Sequence, residues 1–314
     1  MRILLTGADG FIGRYVHDDL ERLGHRVIGI DHRLREDART TVLKVDVRNS
    51  QHLAVVMESL EPQAIIHLAA QASITTSRKN AVYDLDVNTG GTIRLLALAA
   101  KYGDGVGRFV FASTSAVYAP NHSGVYHEDD WIGPQTPYGI SKAAAENYCR
   151  ISGVPYAILR LGNVYGPGQR PLGESILMAR ALAWIYWGDD FRINGDGANE
   201  RDYVFVEDVS RAFILAAEIG GSMSFTANIG TGEAHSVNEV LQRLVGIART
   251  SGPDRIHGSP LDIRFWPHGP AVPGELPKVQ YDVRRARKLL NWEPTTDFAD
   301  GLRRTHDAWP KVKP

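Results

Sequence analysis

The first thirteen residues, MRILLTGADGFIG, restrict the fold more than any other stretch. A short apolar run, Ile3-Leu4-Leu5, breaks into a turn carrying Gly7, Gly10 and Gly13, and an amphipathic segment follows. The order is strand, glycine-rich turn, helix. Side chains in such a turn would block the tight bend, a pyrophosphate approaching the backbone, and close packing of helix on strand. The N–H groups that open the helix then face an anion, helped by the helix dipole. The spacing is GxxGxxG rather than the commoner GxGxxG, and alone it fits an ordinary tight turn equally well. On the dinucleotide reading, Gly7, Gly10, Phe11, Ile12 and Gly13 make the cofactor cradle.

The following segments favour that reading. Residues 15–23 read as a helix ended by Gly24, and residues 26–30 as a second strand closing on Asp31. An acid there can accept both hydroxyls of an adenosine ribose and would repel a 2′-phosphate, so NAD is expected rather than NADP. Arg33 and Arg35, close by, weigh the other way. Strands are expected at 42–47, 64–68 and 108–112, and a long helix carrying Asn88 at 83–102. Small residues follow the 64–68 strand in Ala69-Ala70-Gln71-Ala72-Ser73, where backbone can approach a ligand. Strands alternating with helices of this length imply a parallel sheet covered on both faces, with every carboxyl end on one edge.

Candidate chemistry collects on that edge. Ser113 and Thr114 stand directly beyond a strand, and Pro137-Tyr138-Gly-Ile-Ser-Lys142 opens a helix running to about residue 151. Tyr138 and Lys142 are four apart, hence on one helical face. A lysine cation beside a phenol favours the phenolate, which suits Tyr138 as a general base, and Thr114 can bond the same substrate oxygen.

Composition excludes more than it assigns. The 35 basic and 36 acidic residues of this 314-residue chain nearly cancel, so no global field points to nucleic acid or a membrane surface. One cysteine, Cys149, precludes an internal disulfide framework and fits a reducing compartment. No apolar run approaches the roughly 18 residues of a membrane span. A cytoplasmic protein is expected, and no metal site.

Taken together, TGADGFIG, Asp31, Asp46-Val47, HLAAQAS, Asn88, STSAVY, PYGISK, NVYGPGQRP, GDGANERDYVFVEDV and LLNWEP resemble the extended short-chain dehydrogenases/reductases of the NAD-dependent epimerase/dehydratase group. The similarity spans the whole chain and is nearest to UDP-glucose 4-epimerases and UDP-glucuronate-modifying relatives. It implies an α/β fold: a Rossmann-type doubly wound sheet over residues 1–161, and a smaller nucleotide-sugar lobe mainly over 162–314, with some segments returning to the sheet. It implies that Asp46 and Val47 flank the adenine and that Leu68, Ala69 and Ala70 line the cofactor site, with Asn88 and Ser113 beside it. The catalytic set becomes Thr114, Tyr138 and Lys142.

The resemblance also assigns the second half. Asn163 and Arg201 match residues at the nucleotide-sugar diphosphate, and a guanidinium suits that group because its fork gives two parallel bonds. Glu275 matches an acid that holds the nucleotide ribose, while Arg170 matches an arginine that some relatives use for a uronate carboxylate. The family's arginine just before Pro273-Gly274 is replaced by Ala271-Val272, leaving Arg264 or Lys278 as substitutes. Dehydratases of the group carry an acid pair after the threonine, and decarboxylases a glutamate two places on. Here stand Ser115 and Ala116. A 4-epimerase is therefore expected, ahead of a UDP-glucuronate decarboxylase or a 4,6-dehydratase, and well ahead of a non-catalytic dinucleotide sensor. The 83–102 and 138–151 helices resemble those of a family homodimer contact.

Overall fold

A computed structural model describes residues 1–102, 106–171, 177–251, 255–256, 259–260, 262–271 and 276–313. Seven strands form one parallel sheet in the order Phe225–Ile229, Tyr156–Leu161, Arg108–Thr114, Ala64–His67, Arg2–Thr6, Arg26–Asp31, Val42–Lys44. The central strands are near-continuous apolar runs because both of their faces are covered. Helices Phe11–Arg22 and Val206–Glu218 pack on one face. Ser50–Leu60, Gly91–Lys101 and Pro137–Ile151 pack on the other. Chain order reverses between Arg2–Thr6 and Ala64–His67, and a crevice opens beyond their carboxyl ends.

The sheet does not stop at residue 161, since Phe225–Ile229 extends it beside Tyr156–Leu161. A second, smaller sheet is built around Glu200–Phe205. That strand pairs antiparallel with Ala234–Ser236 and parallel with Lys278–Tyr281 and Asn163–Tyr165. Leu177–Trp187, Val237–Ser251 and Phe298–Asp307 contribute to its own apolar core.

Three local expectations need correction. The first helix begins at Phe11, not at residue 15, because Gly10 is its N-cap and the glycine turn feeds straight into it. The third strand ends at Lys44, short of Val47, because Asp46 accepts the Arg48 N–H at 2.9 Å and turns the chain. The long helix is three pieces, Ala81–Leu85, a π-turn at Asp86–Gly90, and Gly91–Lys101. Asn88 sits in the wide turn, the kind of bulge that re-aims a side chain.

Beneath the active edge lies a buried ion pair. Arg160 grips Glu146 through Nε (2.9 Å) and Nη2 (2.7 Å), and both side chains are 1% exposed. Ser113 Oγ donates to the same carboxylate at 2.6 Å, and Arg160 reaches the Glu128 carbonyl at 3.0 Å. The pair locks helix Pro137–Ile151 to strand Tyr156–Leu161. Glu146→Ala would strand a buried guanidinium, so we expect it to lose about 3 kcal/mol or more of stability. Urea denaturation checks this; a loss below about 1 kcal/mol would show the pair to be dispensable.

Candidate active site

A cavity of about 460 Å³ occupies the crevice at the switch point. Its floor is the glycine turn. Gly7 has φ +70°, and a Cβ there would come 2.7 Å from the Ala69 nitrogen, so only glycine lets the two strand ends approach. A Cβ on Gly13 would lie 2.0 Å from the Gly7 oxygen, so that glycine serves helix packing and is not in the cavity wall. Ile12 likewise packs on the core. Gly7, Gly10, Phe11, Asp31, Asp46, Val47, Leu68, Ala69 and Ala70 do line the cavity. Asp31 Oδ2 accepts the Asp9 N–H and Oδ1 the Arg33 N–H, both at 3.2 Å, which turns its carboxylate inward over the cradle.

The wall also holds residues that pattern reading passed over. Arg48 grips Asp46 at 2.6 Å, holding that carboxyl below its ordinary range, and lies 5.2 Å from the Tyr83 ring centroid. The signal was the arginine directly after Asp46-Val47. Tyr83 and Val87 reach the wall because the π-turn rotates their helix.

The three catalytic candidates stand on strand Arg108–Thr114 and helix Pro137–Ile151. Thr136 caps helix Pro137–Ile151, accepting the Gly139 N–H at 3.1 Å, and Pro137 supplies the favoured first-turn geometry. A Cβ on Gly139 would lie 2.3 Å from the Ala116 oxygen, so the helix start rests directly on the turn after strand Arg108–Thr114. That contact brings the Tyr138 hydroxyl close enough to Thr114 for the threonine to favour the phenolate. Burial pushes the Tyr138 phenol up to about 12; Thr114 opposes this and the Asp84 charge adds to it. Burial pulls the Lys142 ammonium down to about 8, with Nζ 4.2 Å from the Phe111 ring centroid. The expected lowering of Tyr138 by Lys142 is not found, because burial dominates both groups.

Asn88 and Ser113 stand behind the site rather than in its walls. Asn88 accepts the Gln71 N–H (2.8 Å) and donates to Ser141 Oγ (3.0 Å) and Asp84 Oδ1 (3.2 Å). Ser141 Oγ in turn donates to Asp84 Oδ2 at 2.5 Å. All three polar groups are buried, so Asn88 fixes the helix that carries Lys142. The Ser113 hydroxyl belongs to Glu146.

A second pocket of about 160 Å³ adjoins Thr114 and Tyr138 through Ser115, Ala116, Gln135 and Thr136, and Arg201 lies in its wall. Arg201 Nη1 donates to the Glu200 and Leu276 carbonyls at 2.7 and 2.9 Å. Asn163 is on the strand beside Tyr203, near this pocket but not in its wall. Arg170 lines the larger cavity instead. Glu275 lies outside the described residues. Arg264 is held by Asp262 at 2.8 Å, whereas Lys278 pairs with Glu200 at 3.7 Å, one register position from Arg201.

A doubly wound sheet with a glycine-rich turn at its switch point, and a threonine, tyrosine and lysine on the neighbouring strand end and helix, is the architecture of an enzyme of the short-chain dehydrogenase/reductase kind. The chain belongs to the NAD-dependent epimerase/dehydratase family, whose model matches residues 3–230. It is 34% identical over 321 residues to the UDP-glucose 4-epimerase of Mycolicibacterium smegmatis, covering 97% of each chain. The UDP-glucuronate 4-epimerase of Thermodesulfobacterium geofontis is 32% identical over 98% of this chain and 95% of its own. The crystal structure of Thermus thermophilus UDP-glucose 4-epimerase in complex with NAD superposes with a TM-score of 0.83 at 31% identity, covering 98% of each chain.

The Lys142 shift makes a stability prediction. Its folded pKa, about 8, lies below the ordinary 10.5, so the unfolded chain binds the extra proton between these values. Stability should therefore rise with pH across that window, and the burial penalty is complete below it. Lys142→Met should abolish this rise and gain stability at pH 7, on the order of 2–3 kcal/mol. Chemical denaturation at pH 7 and pH 9.5 reads both effects; equal pH dependence in the two proteins would refute the assignment.

Proposed function

We propose that the protein is an NAD-dependent 4-epimerase of a UDP-linked hexose or hexuronate. The observation that carries this reading is the Thr114–Tyr138–Lys142 set beside a pocket whose nearest walls, Ser115 and Ala116, hold no acid. Tyr138 takes the proton of the sugar's 4-hydroxyl and Thr114 bonds the same oxygen, with Lys142 one turn further along the same helical face. NAD, when bound, accepts the hydride from C4 and gives it back. The cradle, Asp31 and the Leu68–Ala70 turn hold that cofactor. Arg201 anchors the diphosphate, so the 4-keto sugar can turn without leaving, and Tyr138 returns the proton to the opposite configuration. With no carboxylate at Ser115 or Ala116, nothing there assists chemistry at C5 or C6.

The two lobes divide the work in this reading, residues 1–161 taking the cofactor and most of 162–314 the nucleotide sugar. A homodimer is part of it. Val82, Leu85, Ile140, Tyr148 and Ile151 are exposed apolar residues on the Ala81–Leu85 and Pro137–Ile151 helices, with Val82 at 79% and Ile151 at 77%. Among the described residues no helix is long and apolar enough to cross a membrane. A cytoplasmic setting fits the single buried cysteine.

Proton NMR of the purified protein with UDP-glucose, and separately with UDP-glucuronate, tests the activity without added NAD. A galacto-configured anomeric signal is expected; a 4-keto pentose or xylose product instead would make the enzyme a decarboxylase. Tyr138→Phe should lower kcat by about 10²–10⁴ while NAD still copurifies. Full turnover in that variant would remove Tyr138 as the base. Light scattering should give twice the chain mass, and a strictly monomeric species would dismiss the dimer.

A further inference from the structure

We propose that Arg35 and Arg170, carried on two separate loops, close as a clamp on the pyrophosphate of the bound dinucleotide. Both line the larger cavity together with Gly7, Gly10 and Phe11, where the phosphates belong. Arg170 makes no hydrogen bond or ion pair among the described residues. Arg35 Nε is buried without a hydrogen-bond partner and is held only by a long ion pair with Asp37 at 3.6 Å. Two guanidiniums facing one cavity repel, and Arg170 with burial lowers the Arg35 pKa. An anion between them turns that repulsion into two charge-assisted contacts.

Both loops are fastened to the helix that starts at the cradle. Tyr15, on helix Phe11–Arg22, donates to the Pro167 carbonyl at 2.9 Å, which sets Gly168-Gln169-Arg170 over the cavity. Gln169 Nε2 braces the same loop on the Val164 carbonyl at 2.9 Å, and Gly168 turns it at φ +83°. On the other side, Asp9 accepts the Arg35 N–H, and Arg14 bridges Asp9 (3.1 Å) to Asp37 (2.8 Å). Arg39 fastens the end of that loop to Asp18. The first helix thus carries both arms of the clamp.

The pyrophosphate is favoured over a 2′-phosphate because the Asp31 carboxylate occupies the ribose end of the cavity and would repel one. Arg170 is then a cofactor residue and not the partner of a sugar carboxylate. The inference rests on the NAD reading above, and the experiment separates the two.

Calorimetry of the full chain with NAD, NADP, ADP and adenosine, on wild type, Arg35→Ala and Arg170→Ala, is the test. Each substitution should weaken NAD and ADP about tenfold and leave adenosine unchanged, with a shallower salt dependence than wild type. Arg170 is exposed and Arg35 partly so, and far-UV circular dichroism with Arg→Lys variants controls for folding. Arg170→Ala retaining NAD and ADP affinity within twofold would overturn the clamp; a KM rise confined to UDP-glucuronate would then return Arg170 to the substrate. Loss of NADP affinity alone would assign the pair to a 2′-phosphate and also overturn it. A wild-type protein with no affinity for NAD or ADP would sink the functional reading itself.

Discussion

The active edge depends on one close approach, the start of helix Pro137–Ile151 against the turn that ends strand Arg108–Thr114. Gly139 makes it possible, because the Ala116 oxygen occupies the space a side chain would need. From that contact Tyr138 meets Thr114, and Lys142 follows one turn later on the same face. The geometry is then held from below and from behind. Glu146 ties the helix to Arg160 on the neighbouring strand, and Ser141 ties it to Asp84 on helix Ala81–Leu85 and to Asn88 on the π-turn. Backbone contact sets the distance, and two buried polar networks set the orientation.

Those networks are costly alternatives to an apolar core, and their value here is direction. A buried bidentate pair fixes two planes relative to each other in a way that apolar packing does not. Because Glu146 also accepts from Ser113, the strand tip, the helix and the next strand are registered by one carboxylate. Asp84 has the equivalent role on the other side, accepting from both Gln71 and Ser141, so the turn after Ala64–His67 is registered to the same helix. The cavity wall and the Tyr138–Lys142 face therefore cannot drift independently.

Much of this was legible in the chain. Glycine spacing, the acid after the second strand and the Tyr138–Lys142 interval each express a local constraint that leaves a mark in nearby residues, and the sheet and most of the cavity wall followed from them. Asn88, Ser113 and Arg170 were harder. A motif shows that a residue belongs to a site, but not on which side of the backbone it acts. Ser113 is spent on Glu146, deep in helix Pro137–Ile151, while Thr114 at the strand's end lies by Tyr138 at the start of that helix. Asn88 turns inward because its helix widens there, and nothing in the helical period announces a π-turn. Arg170 is placed by Tyr15, some 150 positions earlier in the chain, a link that no local pattern carries.

Burial at the catalytic pair has a consequence for how the site works. It favours the neutral phenol of Tyr138 and pulls the Lys142 ammonium toward neutrality, so the chain alone holds a protonated phenol and a weakened cation on one helical face. The Asp84 carboxylate, immobilised by Ser141 and Asn88, raises the phenol further. A positive charge brought close to Tyr138 acts against all of these, because in a dry pocket it is poorly screened and stabilises the phenolate directly. The phenolate of Tyr138 is therefore populated only where such a charge offsets the desolvation that raises the phenol.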